Sequence, residues 1–195
     1  MIILGIDPGF ASMGYALLEV REGTPVFVGA GVVRTQKDQR KVLSYNDNCK
    51  RAQHLYKKLE ELSHGALLFA VEAESWTRMP SDKLLGIARG AIYSVAAARV
   101  LPLEQYSPKE MKECLSGKKG TSKADVENIL ITKHPELGAY LDGLPKSQRN
   151  HAADAAACAY TASRCSGIVK FYLNTQRASD PWKLNVELRH FGEEP

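Results

Sequence analysis

The sequence predicts an α/β domain built on a mixed sheet, and three observations carry that expectation. Residues 2–34 contain three apolar strands joined by tight turns, the pattern of an antiparallel meander. Beyond them, helical stretches alternate with short apolar runs, as they do where strands pair in parallel. One helix near the end is rich in alanine, and side chains that small let a helix lie close to a sheet.

Taken in order, Ile2-Ile3-Leu4-Gly5-Ile6-Asp7 reads as a buried strand stopped by Pro8-Gly9. A second strand covers about 14–20, and Gly23-Thr24-Pro25 turns the chain into a third at about 26–34. Residues 36–51 read as a polar connection rich in Lys and Arg. A helix then carries Ala52, Leu55, Leu59 and Leu62 at helical spacing, with His64-Gly65 as its stop. Residues 67–72 form a buried strand. Ser81-Asp82 caps a helix that runs to about Arg99 and contains Gly86 and Gly90. A strand at 101–106 leads to Ser107-Pro108, which opens a short helix with proline in its first position. Ser116-Gly117-Lys118-Lys119-Gly120-Thr121 is a basic loop, and Ser122 starts a helix to about Lys133. The alanine helix covers about 147–164. After Gly167 the pattern weakens, leaving one expected strand near 168–173. The expected division is a domain at 1–165 and an extension of unread role at 166–195.

Composition narrows the classes. The chain has 195 residues, 44% hydrophobic and 25% charged, with a net charge of +4. A domain of this size buries roughly 70% of its unfolded surface and needs no disulfides. Cys49, Cys114, Cys158 and Cys165 lack CxxC spacing and read as reduced thiols of a cytosolic protein. The apolar run 66–71 is too short for a bilayer, and no basic segment precedes Ile2, so neither a membrane span nor a signal peptide is expected. A charge of +4 is compatible with nucleic acid without pointing to it.

The candidate chemistry lies in acidic residues at strand ends. Asp7 closes a strand that carries no other charge; an aspartate there often does no more than make an Asx-turn. Glu72 closes a second apolar strand, where a bare buried carboxylate would be too costly without solvent, a partner or a cation. Glu74 would share its face if the strand continued, so both glutamates stay in play. His151 and Asp154 stand at i and i+3 on the alanine helix and share a face. An exposed polar stripe would explain either one alone, but neighbours that are nearly all alanine suggest a buried helix whose polar groups need partners. Together Asp7, Glu72, Asp154 and His151 make an oxygen-rich set with one nitrogen, suited to Mg²⁺ or Mn²⁺.

These residues stand in recognisable motifs. Gly5-Ile6-Asp7-Pro8-Gly9 with Gly14-Tyr15, then Ala70-Val71-Glu72, then His151-Ala152-Ala153-Asp154-Ala155 resemble the RuvC family of Holliday-junction resolvases. Tyr106-Ser-Pro-Lys-Glu-Met-Lys112, Gly117 and Lys123-Ala-Asp-Val126 add a fourth segment. The resemblance implies an RNase H-like fold, with a five-stranded mixed sheet in the order 3-2-1-4-5 flanked by helices. It implies a homodimer that nicks opposing strands of a four-way DNA junction symmetrically, leaving 5′-phosphate and 3′-hydroxyl ends, with two Mg²⁺ ions per site and Mn²⁺ as a substitute. Asp7, Glu72 and Asp154 would bind metal, and His151 would serve as ligand or as proton-transfer partner. Lys112 and Lys123 match the family's phosphate-contacting lysines; Lys118 and Lys119 add charge beside them. A chromosomal member would work with a branch-migration motor, whereas a phage member would act alone on branched DNA.

The chain departs from the pattern where the family carries an aromatic shortly after its glutamate. Ser75 stands there, and Trp76 follows as the substitute that would stack on bases. The missing aromatic at Ser75 and the histidine at 151 make a catalytically silent junction-binding or regulatory RNase H-like protein the alternative function. Basic residues concentrate at 34–51 and 109–123; beside an acidic metal site, both stretches are expected to track phosphates.

Overall fold

Apolar side chains on both faces of residues 2–7 call for a strand covered on both sides, and the computed structural model places it at the centre of the sheet. The structure describes residues 1–38, 40, 43–73, 82–117 and 122–178. β1 (Ile2–Asp7), β2 (Ser12–Arg21) and β3 (Thr24–Arg34) form the meander. They are followed by α1 (Ser44–Leu62), β4 (Ala66–Glu72), α2 (Asp82–Ala98), β5 (Leu103–Tyr106) and α3 (Pro108–Ser116). Then come α4 (Lys123–Lys133), α5 (Pro135–Asp142), α6 (Lys146–Cys165) and α7 (Gly167–Ala178). The sheet runs β3-β2-β1-β4-β5. β1 pairs antiparallel with β2 and parallel with β4, so the sheet is mixed and in the expected order.

Alternation along β1 divides the core into two layers. Ile3 packs with Ala70 of β4 and the alanines of α6, while Leu4 and Ile6 face Leu55 and Leu59 of α1 and Ile92 of α2. α6 lies so close to the sheet that two strand residues have no room for a side chain. A Cβ on Gly5 would stand 2.1 Å from the Ala155 carbonyl oxygen, and one on Gly14 would stand 2.0 Å from that of His151. The α6 face toward the sheet is alanine from Ala152 to Ala159 except at Asp154 and Cys158, and these small side chains permit that approach. α3 and α4 each begin with a reciprocal capping box, Ser107 with Glu110 and Ser122 with Asp125.

Three expectations change. α1 begins at Ser44, inside the stretch expected to be a polar connection, because its apolar face starts only at Ala52. α5 was not expected, although Pro135 at its first position and Leu137 and Leu141 at i and i+4 signal it. The strand expected near 168–173 is helix α7. Ser166 Oγ accepts hydrogen bonds from the Ile168 and Val169 backbone N–H groups, starting a helix that buries Val169 completely. Ser166 Oγ also donates to Glu104 of β5 at 2.9 Å, so the first turn of the expected extension is tied to the sheet. A Cβ on Gly86 or Gly90 would meet nothing within 4 Å, so these glycines of α2 face open space. Among the described residues no helix is long and apolar enough to cross a membrane.

Candidate active site

Parallel pairing of β1 with β4, in register from Ile3 opposite Leu68 to Ile6 opposite Val71, brings the ends of both strands side by side. Asp7 and Glu72 therefore end neighbouring strands, and the period-two alternation turns both toward α6. Asp154 approaches from that helix. One carboxylate oxygen from each of Asp7, Glu72 and Asp154 lies within 4.8 Å of the others. Asp7 is buried, and Glu72 and Asp154 are half-buried. Like charges this close repel unless a proton or a cation intervenes, and three hard oxygens suit a divalent cation such as Mg²⁺ or Mn²⁺.

His151 lies one turn before Asp154 on α6, and its Nδ1 stands 2.6 Å from Asp7 Oδ2. The ring is 40% exposed while the Asp7 side chain is 12% exposed, so the pair joins the buried carboxylate to solvent. Among the described residues the mutually close set contains the three carboxylates and not His151. The Gly14 contact explains the placement: His151 can reach Asp7 because its turn of α6 rests directly on β2.

Cys158 follows Asp154 by one turn and is wholly buried. Burial pushes its thiol well above the ordinary range, and the charges of Glu72, Asp7 and Asp154 push it further, so it stays neutral. It donates to Met111 Sδ at 3.2 Å, which fixes α3 against α6. Lys112 is the next residue along α3 and is half-buried. Lys123 opens α4, and its side chain lies outside the described residues, as do Glu74, Trp76, Lys118 and Lys119.

In the first basic stretch, one arginine is engaged within the fold and another is paired at the surface. Arg51 donates from Nε to Thr35 Oγ1 at 2.9 Å, lies 4.2 Å over the Phe10 ring, and faces Asp47 at 3.7 Å. Arg40 pairs with Asp38 at 2.8 Å and holds that carboxyl down to about 2. One charged residue behind the site was not singled out from the sequence. Arg89 of α2 is 5% exposed, and its Nη2 donates to the Glu72 backbone carbonyl at 3.0 Å. The signal was an arginine one turn from Leu85 and three residues before Ile92, on the helix's apolar stripe.

Residues 3–162 match the family model of crossover junction endodeoxyribonuclease RuvC. A protein of that name from Salinibacter ruber is 35% identical over 140 residues, covering 68% of this chain and 74% of its own length. Another from Pseudothermotoga lettingae is 31% identical over 163 residues, covering 82% of this chain and 92% of its own. The structure of T. thermophilus RuvC in complex with Holliday junction substrate superposes with a TM-score of 0.66. It is 24% identical and covers 83% of this chain and 92% of that one. That likeness speaks for the fold, which is RNase H-like. With acidic residues gathered at the ends of two paired strands and the family model spanning nearly all of the described sheet and helices, the chain belongs to the RuvC family of crossover junction endodeoxyribonucleases.

Proposed function

We propose that this protein resolves four-way DNA junctions as a homodimer, by a pair of symmetric nicks that leave 5′-phosphate and 3′-hydroxyl ends. The observation that carries the reading is the convergence of Asp7, Glu72 and Asp154 within 4.8 Å, in a chain matched by the RuvC family model. The three carboxylates would hold two divalent ions, Mg²⁺ or Mn²⁺. When bound, such ions supply an activated water and charge stabilisation at the phosphate and the leaving oxygen.

The remaining steps belong to the chain. Asp7 orients the His151 imidazole through Nδ1, which sets up the ring to take the proton released as water attacks. This geometry favours proton transfer over ligation as the role of His151. Lys112, anchored beside Met111 on the Cys158 contact, would face the phosphate that this site cleaves. Lys123, and Lys118 and Lys119 between the two helices, would extend the same charge along the DNA, and Trp76 would stack on junction bases. The open space over Gly86 and Gly90 leaves the outer face of α2 available to the second subunit. A cytoplasmic location follows from this reading.

The test uses synthetic four-way DNA with the nicks mapped on every strand. Wild type is expected to nick two opposing strands with Mg²⁺ or Mn²⁺, and Asp7→Asn to bind the junction without nicking it. Normal nicking by Asp7→Asn would remove Asp7 from the site. Binding by the wild type with no nicking under either metal would instead indicate a silent junction-binding protein.

A further inference from the structure

We propose that Arg89 is a positioning residue that supplies the hydrogen bond Pro8 cannot make, and so holds Glu72 in line with Asp7 and Asp154. The Ala73 N–H donates to the Tyr106 carbonyl of β5 at 2.9 Å, so alternation turns the backbone groups of Glu72 the other way, toward β1. There, with Ile6 opposite Val71, the donor for the Glu72 carbonyl would be the backbone nitrogen of residue 8. Residue 8 is proline and has no N–H. The seam between the two acid-bearing strands thus ends where β1 offers the Glu72 carbonyl no donor, directly beneath the carboxylates. Arg89 Nη2 reaches that carbonyl from the opposite face of the sheet at 3.0 Å.

The cost of Arg89 argues that it is more than packing. It is 5% exposed, and among the described residues its Nε and Nη1 are buried with no hydrogen-bond partner. An unsatisfied buried donor is costly, a penalty that a methionine of similar length would avoid. An arginine tolerated at this cost beside a single carbonyl fits a role in holding the strand end. Loss of its bond would let residues 72–73 fray together from the strands on either side and swing the Glu72 carboxylate out of the cluster. The inference rests on the proposed nuclease function for its catalytic consequence, though not for its structural one.

A double-mutant cycle tests it. Arg89→Met removes the donor, and Pro8→Ala restores a backbone N–H at the position where the ladder lacks one. Two quantities are read in all four proteins: hydrogen exchange of the Ala73 amide, and the single-turnover rate of four-way junction nicking at saturating Mg²⁺. Arg89→Met is expected to speed Ala73 exchange and to slow nicking by about 10–100-fold, the range found when groups supporting a metal ligand are lost. Junction binding without metal should stay unchanged. Adding Pro8→Ala should recover much of both losses. Additive effects, with the double variant as impaired as the product of the single ones, would overturn the proposal, as would unchanged exchange and rate in Arg89→Met. If Arg89→Met does not fold, the same cycle with Arg89→Lys, which displaces the donor but keeps the charge, reads the same coupling. If the wild type nicks no junction, the functional reading fails, while the exchange data still decide the role of Arg89.

Discussion

One contact bears on which of two chemical roles is proposed for His151. A histidine that ligates metal and one that moves a proton look alike in sequence, where either sits three residues before Asp154. In the structure Nδ1 is committed to Asp7 at 2.6 Å, and the ring is far more exposed than its partner. Substitution to alanine should therefore slow the chemical step by about 10²–10⁴-fold, the usual contribution of a general base. Mn²⁺ binding, followed by the spin resonance of the free ion, should change little. A parallel collapse of Mn²⁺ affinity would make His151 a ligand instead. The comparison is informative because Asp7→Asn should lose both, being at once a carboxylate of the cluster and the group that orients the ring.

Among the elements, the seating of α6 on the sheet does most to build the site, since it delivers Asp154 and His151 to carboxylates that the strands present. Gly14 is the contact where this seating is tightest. A methyl group there would overlap the His151 carbonyl oxygen at 2.0 Å, and backbone on backbone cannot yield as a side-chain end can. Gly14→Ala is expected to destabilise the fold by about 1–3 kcal/mol through overpacking. At this chain length that is roughly 2–4 °C of thermal midpoint for each kcal/mol. It should also slow nicking more than its lost stability explains, because the displaced turn carries His151. Gly29→Ala is the control: its Cβ would sit 3.5 Å from a Leu17 methyl, an ordinary contact, and its midpoint should move by less than about 2 °C. Equal shifts in the two variants, measured by calorimetry, would show that close approach of α6 is not the constraint.

At the scale of the whole molecule, the sequence made the sheet and its acidic ends legible because the signals were local. Apolar runs ending in Asp7 and Glu72, and the alanine spacing around Asp154, each appear within a few residues. What depended on distant partners was not legible. The 168–173 segment has strand-like residues, yet Ser166 and the burial of Val169 make it helical. Arg89 acquires meaning only from Pro8 and Glu72, far away in sequence. Charge followed the same rule. The excess of 26 basic over 22 acidic residues gave no sign of which cations face outward, and the stretch 34–51 looked as available to phosphates as 109–123. Arg51 is not available: it is 12% exposed and engaged by Thr35, Phe10 and Asp47. The two stretches should therefore respond differently to salt. Each lysine that neutralises a phosphate steepens the fall of log binding constant with log salt concentration by about one. Lys112→Gln should flatten that slope for four-way DNA by about one, measured by titration from low to moderate salt without metal. Arg51→Gln should leave the slope unchanged and lower thermal stability by about 1–3 kcal/mol, since it removes the bond to Thr35, the charge facing Asp47 and the packing on Phe10. A flattened slope in Arg51→Gln would mean that this arginine leaves Phe10 to meet the DNA. An unchanged slope in Lys112→Gln would place the phosphate path away from α3, and with it the lysine proposed to face the cleaved bond.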